Sequence, residues 1–332
     1  MHIVIMSPMF RTIFRTLTAL VVMCLAVICI AYAYIVGVVE SKDSIEAAPI
    51  TTKFINVNGE SLAYQKIDTG GDVTIVFVGG LSGWSETWDR TVQSLDAKTS
   101  GYNYVTLDLP PFGYSVPDVS RGYYRDVQAD RIGEVIQNLD LNRVILVAHS
   151  YGAGPAAEYV LRGTGVVEKF IIIDGVLNID EAKKEPSKYG VIQVGPIRDA
   201  AIAILAHYTP FVKSRLKSFV YVTDHIDDQL VRRYMHPFDI AGNASKLSQW
   251  LKDYVNDPLV YKSTASEEYK NLSIPVRLIW GDKDTLTPIS LTQVLLDSIP
   301  DIKLHTLQNV GHIPMIEDYD AIDAALLEAL SG

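Results

Sequence analysis

The stretch that decides the fold is Arg143-Val-Ile-Leu-Val-Ala-His-Ser-Tyr-Gly-Ala-Gly154. Its apolar, mostly β-branched run at residues 144–148 predicts a strand buried on both faces of a sheet. Residues Ala153–Leu161 predict a helix, so Ser150 falls on a sharp turn between a strand and a helix. Such a turn strains the serine backbone and holds the hydroxyl clear of the sheet, beside the free N–H groups that begin the helix. The residues two positions before and after the serine must be small, as Ala148 and Gly152 are.

This pattern resembles the nucleophile elbow of the α/β-hydrolase superfamily, with Ala148 where glycine is the commoner residue. The resemblance implies an α/β fold with a mainly parallel sheet, helices on both faces and a helical cap inserted after the sixth strand. A serine at this position is also typical of an ordinary helix N-cap. A nucleophilic Ser150 requires an oxyanion loop before it in the chain, and an acid and a histidine after it in that order.

A glycine-rich turn, Gly79-Gly-Leu-Ser-Gly-Trp84, follows the predicted strand at residues 73–78. It lies where the superfamily carries a His-Gly motif, with Gly79 in place of the histidine. The resemblance implies that the backbone N–H groups of Leu81 and Tyr151 stabilise the negative oxygen of a tetrahedral intermediate. A glycine-rich turn without a function is the alternative interpretation.

Gly281-Asp-Lys-Asp-Thr-Leu-Thr-Pro288 follows another predicted strand, at residues 276–280. It resembles the Gly-x-x-Asp-x-x-x-Pro loop that carries the catalytic acid of the superfamily, which places the acid at Asp284. Asp282, two positions earlier, is one alternative. Asp174 is the other, because it ends an earlier strand at a position that some members use for the acid.

Asn309-Val-Gly-His-Ile-Pro-Met-Ile-Glu317 follows the last predicted strand. It resembles the Gly-His-x-Pro-x-x-Glu loop in which the superfamily keeps its general base, and this implies that His312 is the base. A lone histidine is more often structural, but this one follows the acid loop in the expected order. Ser150, Asp284 and His312 therefore match the serine–acid–histidine order of α/β hydrolases.

Leu107-Asp-Leu-Pro-Pro-Phe-Gly-Tyr-Ser115 resembles a further loop of the superfamily, Asp-x-Pro-Gly-x-Gly-x-Ser. Pro111 stands where the first glycine is expected, which predicts a different local turn. The resemblance implies that Asp108 has a structural role and braces this loop.

Strands alternate with helices over most of the chain, and this alternation predicts a mainly parallel sheet covered on both faces. The expected hydrolase core comprises residues 53–175 and 268–332. Its strands are predicted at residues 53–57, 61–67, 73–78, 104–109, 144–148, 169–173, 276–280 and 302–307.

The alternation stops between residues 176 and 267, a segment that we call the insertion and that we expect to form the helical cap. Several of its aromatic side chains are candidates for lining a substrate pocket, although plain packing of cap against core explains each of them equally simply. These candidates are Tyr208, Tyr221, Tyr234, Phe211, Phe219 and Phe238. The three histidines of the insertion, His207, His225 and His236, do not have a metal-ligand spacing.

An apolar segment without charge, residues 17–39, is long enough to span a bilayer. Arg11 and Arg15 precede it, whereas Glu40 and Asp43 follow it, so the positive-inside rule places residues 1–16 in the cytoplasm and the rest outside. Residues 31–33, Ala-Tyr-Ala, imitate a signal-peptide cleavage site, which leaves secretion after cleavage as the alternative. Residues 40–52 are expected to be a short linker.

The composition excludes several classes of function. The formal net charge is −10 and no basic block occurs, which argues against nucleic-acid binding. The two cysteines, Cys24 and Cys29, both lie in the apolar N-terminal segment. The folded part therefore has no disulfide, no cysteine nucleophile and no cysteine-ligated metal. We expect neither a metal nor a cofactor.

These patterns together predict a membrane-anchored serine hydrolase that cleaves a carboxylic ester, small or lipid-like, through an acyl-enzyme. Peptidase, carbon–carbon bond hydrolase and perhydrolase activities use the same residues and stay open. A serine nucleophile argues against the haloalkane dehalogenases and epoxide hydrolases, because both need a carboxylate there. A catalytically silent binding protein of the same fold is the alternative from another class.

Overall fold

A computed structural model describes residues 8–163, 165–181, 190 and 193–331 of the chain. Its eight strands form one sheet in the order β1-β2-β4-β3-β5-β6-β7-β8. The first two strands run antiparallel to their neighbours and the others are parallel. The strands are β1 Lys53–Val57, β2 Glu60–Ile67, β3 Val73–Val78, β4 Tyr102–Leu107, β5 Val144–His149, β6 Val167–Ile173, β7 Val276–Gly281 and β8 Ile302–Leu307.

Helices connect the parallel strands, and the predicted mainly parallel sheet with helices on both faces is confirmed. The α-helices in the described part of the chain are α1 Pro8–Tyr34, α2 Ser44–Ala47, α3 Asp89–Lys98, α4 Arg125–Asn138, α5 Ala153–Leu161, α6 Gly195–His207, α7 Thr209–Phe219, α8 Asp228–Met235, α9 Asn243–Val255, α10 Ser266–Tyr269, α11 Gln293–Ser298, α12 Pro314–Glu317 and α13 Tyr319–Ser331. The sequence placed β4 two residues too late, because its pairing with β3 begins at Tyr102 opposite Val73.

Each face of the sheet has its own hydrophobic core. On one face the apolar sides of α4, α5 and α11 pack against β3, β5 and β7. On the other face α3 and α13 cover the alternate residues of the same strands. Because both faces are covered, the central strands contain runs of apolar residues rather than an alternating pattern, as the run in β5 predicted.

The insertion between β6 and β7 contributes α6 to α9, and α10 begins at its carboxyl end. It contacts the loops that follow the parallel strands: the carbonyl of Phe219 accepts the N–H of His312 at 2.7 Å. The indole N–H of Trp84, in the glycine-rich turn, donates to the carbonyl of Arg233 at 3.1 Å. Part of the predicted cap, residues 182–189 and 191–192, lies outside the described residues.

The N-terminal apolar segment is helical. Helix α1 continues into a π-helical turn, Ile35–Val39. The stretch Thr12–Val39 is long and apolar enough to cross a membrane. Residues 1–7 of the predicted cytoplasmic segment lie outside the described part of the chain. The predicted linker is not a free connection, because its first residues are bonded to the insertion.

Candidate active site

The turn at Ser150 has the geometry that its sequence predicts. Strand β5 ends at His149 and α5 begins at Ala153, leaving three residues for the reversal. Ser150 has a φ of +51°, a conformation that costs a residue with a side chain about 1–3 kcal/mol. A Cβ at Gly152 would lie 2.4 Å from the carbonyl oxygen of Gly79, so only glycine fits between the two loops.

Three side chains that are far apart in sequence meet at this turn. The Nε2 of His312 lies 2.7 Å from the Oγ of Ser150. The Nδ1 of His312 lies 2.7 Å from an oxygen of Asp284. All three side chains are buried. The distance between the serine oxygen and the imidazole nitrogen lies in the range in which an imidazole passes a proton between a hydroxyl and a reacting group.

Asp284 is held ionised by the hydrogen bonds that it accepts. Burial alone would raise its pKa, but the bonds from His312 and from the hydroxyl of Thr287, at 2.6 Å, outweigh burial and lower it. The N–H groups of Leu286 and Thr287 add two further bonds at 2.8 and 2.9 Å. A carboxylate beside an imidazole fixes the tautomer of the ring and stabilises its positive form.

The two alternative acids have other partners. Asp174 is fully buried and accepts the N–H of Gly281 at 2.9 Å. Burial, and then the negative charge of Asp284, raise the pKa of Asp174 well above its usual value, which favours the neutral form. Asp282 is bonded to Lys283 and to the N–H of Asn309. Of the three carboxyl groups, only Asp284 is hydrogen-bonded to His312.

A sequence profile described as the alpha/beta hydrolase family matches residues 75–325. The chain belongs to the alpha/beta hydrolase family. A hydrolase of 2-hydroxy-6-oxononadienedioate and 2-hydroxy-6-oxononatrienedioate from Burkholderia vietnamiensis is 23% identical over 284 residues, which cover 84% of this chain and 96% of that protein. The hydrolase of the same name from Escherichia coli K12 is also 23% identical, over 85% of this chain and 96% of its own length.

Solved structures share the fold. A bacterial membrane phospholipase A has a TM-score of 0.67 and 22% identity, and the match covers 96% of this chain and 98% of that one. A meta-cleavage product hydrolase from Pseudomonas fluorescens has the same TM-score and 20% identity, over 84% of this chain and 97% of its own. An esterase from Exiguobacterium antarcticum, at 19% identity, covers 84% of this chain and 99% of its own, again with a TM-score of 0.67. These likenesses show the alpha/beta hydrolase fold.

The glycine-rich turn of this hydrolase fold lies directly against Ser150. A Cβ at Gly80 would lie 2.7 Å from the Cβ of Ser150, so the turn approaches the serine as closely as backbone can. Leu81 and Tyr151, the predicted oxyanion donors, both line the pocket that contains the serine. Their backbone role remains a prediction.

His149, the residue before Ser150, is a contributor that the sequence did not reveal. Its Nε2 lies 2.8 Å from the carbonyl oxygen of His312. Burial, together with the nearby His312, lowers the pKa of His149 to about 3, so the ring is neutral and donates from Nε2 to that carbonyl. This bond joins the serine turn to the histidine loop. No motif signals it, because the two histidines are 163 residues apart.

Two further carboxylates brace the loops around the site. Glu317 accepts the N–H of Gly311 at 2.8 Å and those of Tyr221 and Val222, which ties the histidine loop to the insertion. Asp108 is fully buried and accepts the N–H groups of Ser85 and Tyr114. The sequence analysis assigned this bracing role to Asp108 but missed the role of Glu317.

A cavity of about 420 Å³ opens at Ser150. Its walls are mainly apolar, and the only charged residue among its described lining is Glu181. Of the six aromatic candidates in the insertion, only Phe219 lines this cavity. The sequence analysis missed Trp250 and Tyr254 of α9, which form part of its wall.

One cluster of potential metal ligands occurs in the described part of the chain. Asp174, Asp284 and His312 offer oxygen and nitrogen atoms within 4.8 Å of one another. In this cluster a hydrogen bond joins Asp284 to His312. The expectation that no metal is needed stays a prediction, and the three histidines of the insertion are not part of the cluster.

Proposed function

We propose that this protein is a serine hydrolase that cleaves carboxylic esters with an apolar acyl group. One observation carries the proposal: the Oγ of Ser150 lies 2.7 Å from the Nε2 of His312 at the wall of an apolar cavity. The bond between His312 and Asp284, also 2.7 Å, completes the arrangement that activates a serine for acyl transfer.

The reaction follows from this geometry. His312 takes the proton of Ser150 as the oxygen attacks the ester carbonyl, and Asp284 stabilises the imidazolium. The N–H groups of Leu81 and Tyr151 bind the oxyanion, an interaction for which loss of one donor costs about 2.7–4 kcal/mol. The tetrahedral intermediate expels the alcohol, which receives the proton from His312. Water, deprotonated by His312, then releases the acid from the acyl-serine.

Carbon–carbon bond hydrolysis is the second candidate, because curated relatives are named as hydrolases of a dioate. A substrate with two carboxylates needs positive groups near its binding site. The described residues that line the cavity include no cation, and Glu181 adds a negative charge. This lining supports a neutral ester over a diacid.

An ester panel of graded chain length separates these candidates. We expect kcat/KM for p-nitrophenyl esters to rise from acetate to octanoate, because each methylene buried in an apolar cavity contributes about 0.8 kcal/mol. The matched comparison is 2-hydroxy-6-oxononadienedioate, with its absorbance followed in the same buffer. Turnover of the dioate with a kcat/KM above that of every ester would contradict the proposal and favour the second candidate.

The proposed location is the membrane, with α1 as a single span and the hydrolase domain on the extracytoplasmic side. The support is the apolar stretch Thr12–Val39 and the two arginines at its amino end, Arg11 and Arg15. We expect the full-length protein to stay in the membrane fraction during extraction at alkaline pH and to have the mass of the uncleaved chain. A soluble product that begins after residue 33 would show instead that the segment is a cleaved signal.

A further inference from the structure

The residues directly after the membrane-spanning helix are bonded to the insertion. We call residues 40–44 the strap. The N–H of Lys42 donates to the carbonyl of Asp239 at 3.2 Å, and its carbonyl accepts the N–H of Ala241 at 2.9 Å. The ammonium of Lys42 also lies 2.8 Å from the carboxylate of Asp239. The strap therefore runs parallel to the segment that leads into α9.

Glu40, the first residue of the strap, acts at the amino end of α9. Only 3% of Glu40 is exposed, and its Oε1 accepts the N–H of Ala244 at 2.9 Å. The residue before α9 is Gly242, which has no side chain to cap the helix. A carboxylate at this position satisfies a free N–H group and is favoured by the helix dipole. The cap of α9 is thus supplied from 204 residues away.

The other end of α9 forms the wall of the catalytic cavity. Trp250 and Tyr254 stack with their ring centres 5.3 Å apart. Both rings also meet Tyr151 edge-on, at 5.4 and 5.8 Å. Tyr151 directly follows Ser150, so α9 touches both the cavity and the serine turn. The helix has 13 residues and is about 20 Å long, so the residue at its amino end and the two rings belong to one continuous element.

We propose that Glu40 is a positioning residue of the substrate cavity, which caps α9 and thereby holds Trp250 and Tyr254 against Tyr151. This inference rests on the proposed function in that the cavity binds the acyl group. Glu40, which directly follows the membrane span, then helps to determine the shape of the part of the cavity that binds the acyl group. Ser150, Asp284 and His312 lie on loops of the sheet. Loss of the carboxylate at the amino end of α9 therefore changes substrate binding more than the chemical step.

The test compares Glu40→Ala with the parent full-length protein in detergent. We expect KM for p-nitrophenyl octanoate to rise about fivefold, the effect of losing one helix cap, while kcat changes less than about twofold. The acetate ester, which does not reach far into the cavity, should show a smaller rise in KM. Glu46→Ala is the matched control, since Glu46 is an exposed glutamate just beyond the strap. An unchanged KM for octanoate in a folded Glu40→Ala protein would overturn the proposal.

A double variant identifies the route of the effect. If Glu40 acts through the aromatic wall, Glu40→Ala should add less than about twofold to the KM of Trp250→Ala. Independent, multiplicative effects of the two substitutions would overturn the proposal. Glu40→Gln keeps an oxygen acceptor and serves if the alanine variant does not fold. We expect it to raise KM less than twofold, and a larger rise would count against capping as the cause.

A binding measurement separates this inference from the proposed function. In the Ser150→Ala background, octanoate ester binding is followed by tryptophan fluorescence, because Trp250 and Trp280, two of the four tryptophans, line the cavity. We expect Glu40→Ala to weaken binding about fivefold even without catalysis. Equal affinity with and without Glu40 would overturn the inference alone. Ester binding without hydrolysis by the parent would overturn the proposed function alone, and absence of saturable binding would overturn both.

Discussion

Ser150→Ala is expected to lower kcat for p-nitrophenyl octanoate by at least about 10⁴-fold, because among the described residues Ser150 carries the hydroxyl that is hydrogen-bonded to the Nε2 of His312, whereas the hydroxyl of Thr287 lies at Nδ1. The variant should also fail to react with a fluorophosphonate probe, which forms a covalent bond with an activated serine. Removing the hydroxyl takes away the only bond between the turn and the Nε2 of His312. The fold should survive, since alanine fits the space of serine.

The control for this prediction is Ser290→Ala, which changes an exposed serine near the acid loop. We expect its activity and its labelling to stay within about twofold of the parent, as for most surface substitutions. Parental hydrolysis by Ser150→Ala would remove the nucleophile assignment. A parent protein that neither hydrolyses esters nor reacts with the probe would support the silent binding protein instead.

Asp284→Asn is expected to lower kcat about 10⁴-fold, which corresponds to about 5.5 kcal/mol in the activation free energy. The asparagine amide donates a hydrogen bond where the carboxylate accepts one from the Nδ1 of His312. The ring would then hold its proton on Nε2, the nitrogen that has to accept the proton of Ser150. The measurement is kcat across pH 5 to 9, with circular dichroism to verify folding.

Asp174→Asn is the matched control, because it makes the same chemical change in a carboxyl group that has no bond to His312. We expect a loss of less than about tenfold, since Asp174 already favours the neutral form that an amide imitates. Asp282→Asn should stay within about twofold, because its partners are Lys283 and the N–H of Asn309. A larger loss for Asp174→Asn than for Asp284→Asn would reverse the assignment of the acid.

The parts of the site that lie within one short motif were predictable. The apolar run, the serine and its small neighbours follow one another in the chain. The sharp turn at Ser150 is therefore determined by residues that are adjacent in sequence. The same holds for the glycine-rich turn and for the acid loop. Ser150, Asp284 and His312 follow one another in the order that the family shows. This order made the combination of motifs informative, although each motif alone is common.

The contributors that sequence analysis missed act through contacts across the fold. His149 reaches the carbonyl of His312, and Glu317 holds Tyr221 of the insertion. Trp250 and Tyr254 are spaced as any two neighbours on a helix face, and such spacing is typical of core packing. The predicted linker also carried no sign that Glu40 would cap a helix 204 residues later.

The sequence by itself determined the alternation of strands and helices, the apolar N-terminal segment and the identity of Ser150 and His312 as candidates, because these depend on neighbours along the chain. Only the tertiary structure showed that, of Asp174, Asp282 and Asp284, it is Asp284 that is hydrogen-bonded to His312. All three follow the ends of parallel strands, and a difference of a few ångströms in loop path determines which carboxylate reaches the imidazole. The docking of the strap on α9 was likewise decided by tertiary structure, since a cap supplied from a distant segment leaves no periodic signal.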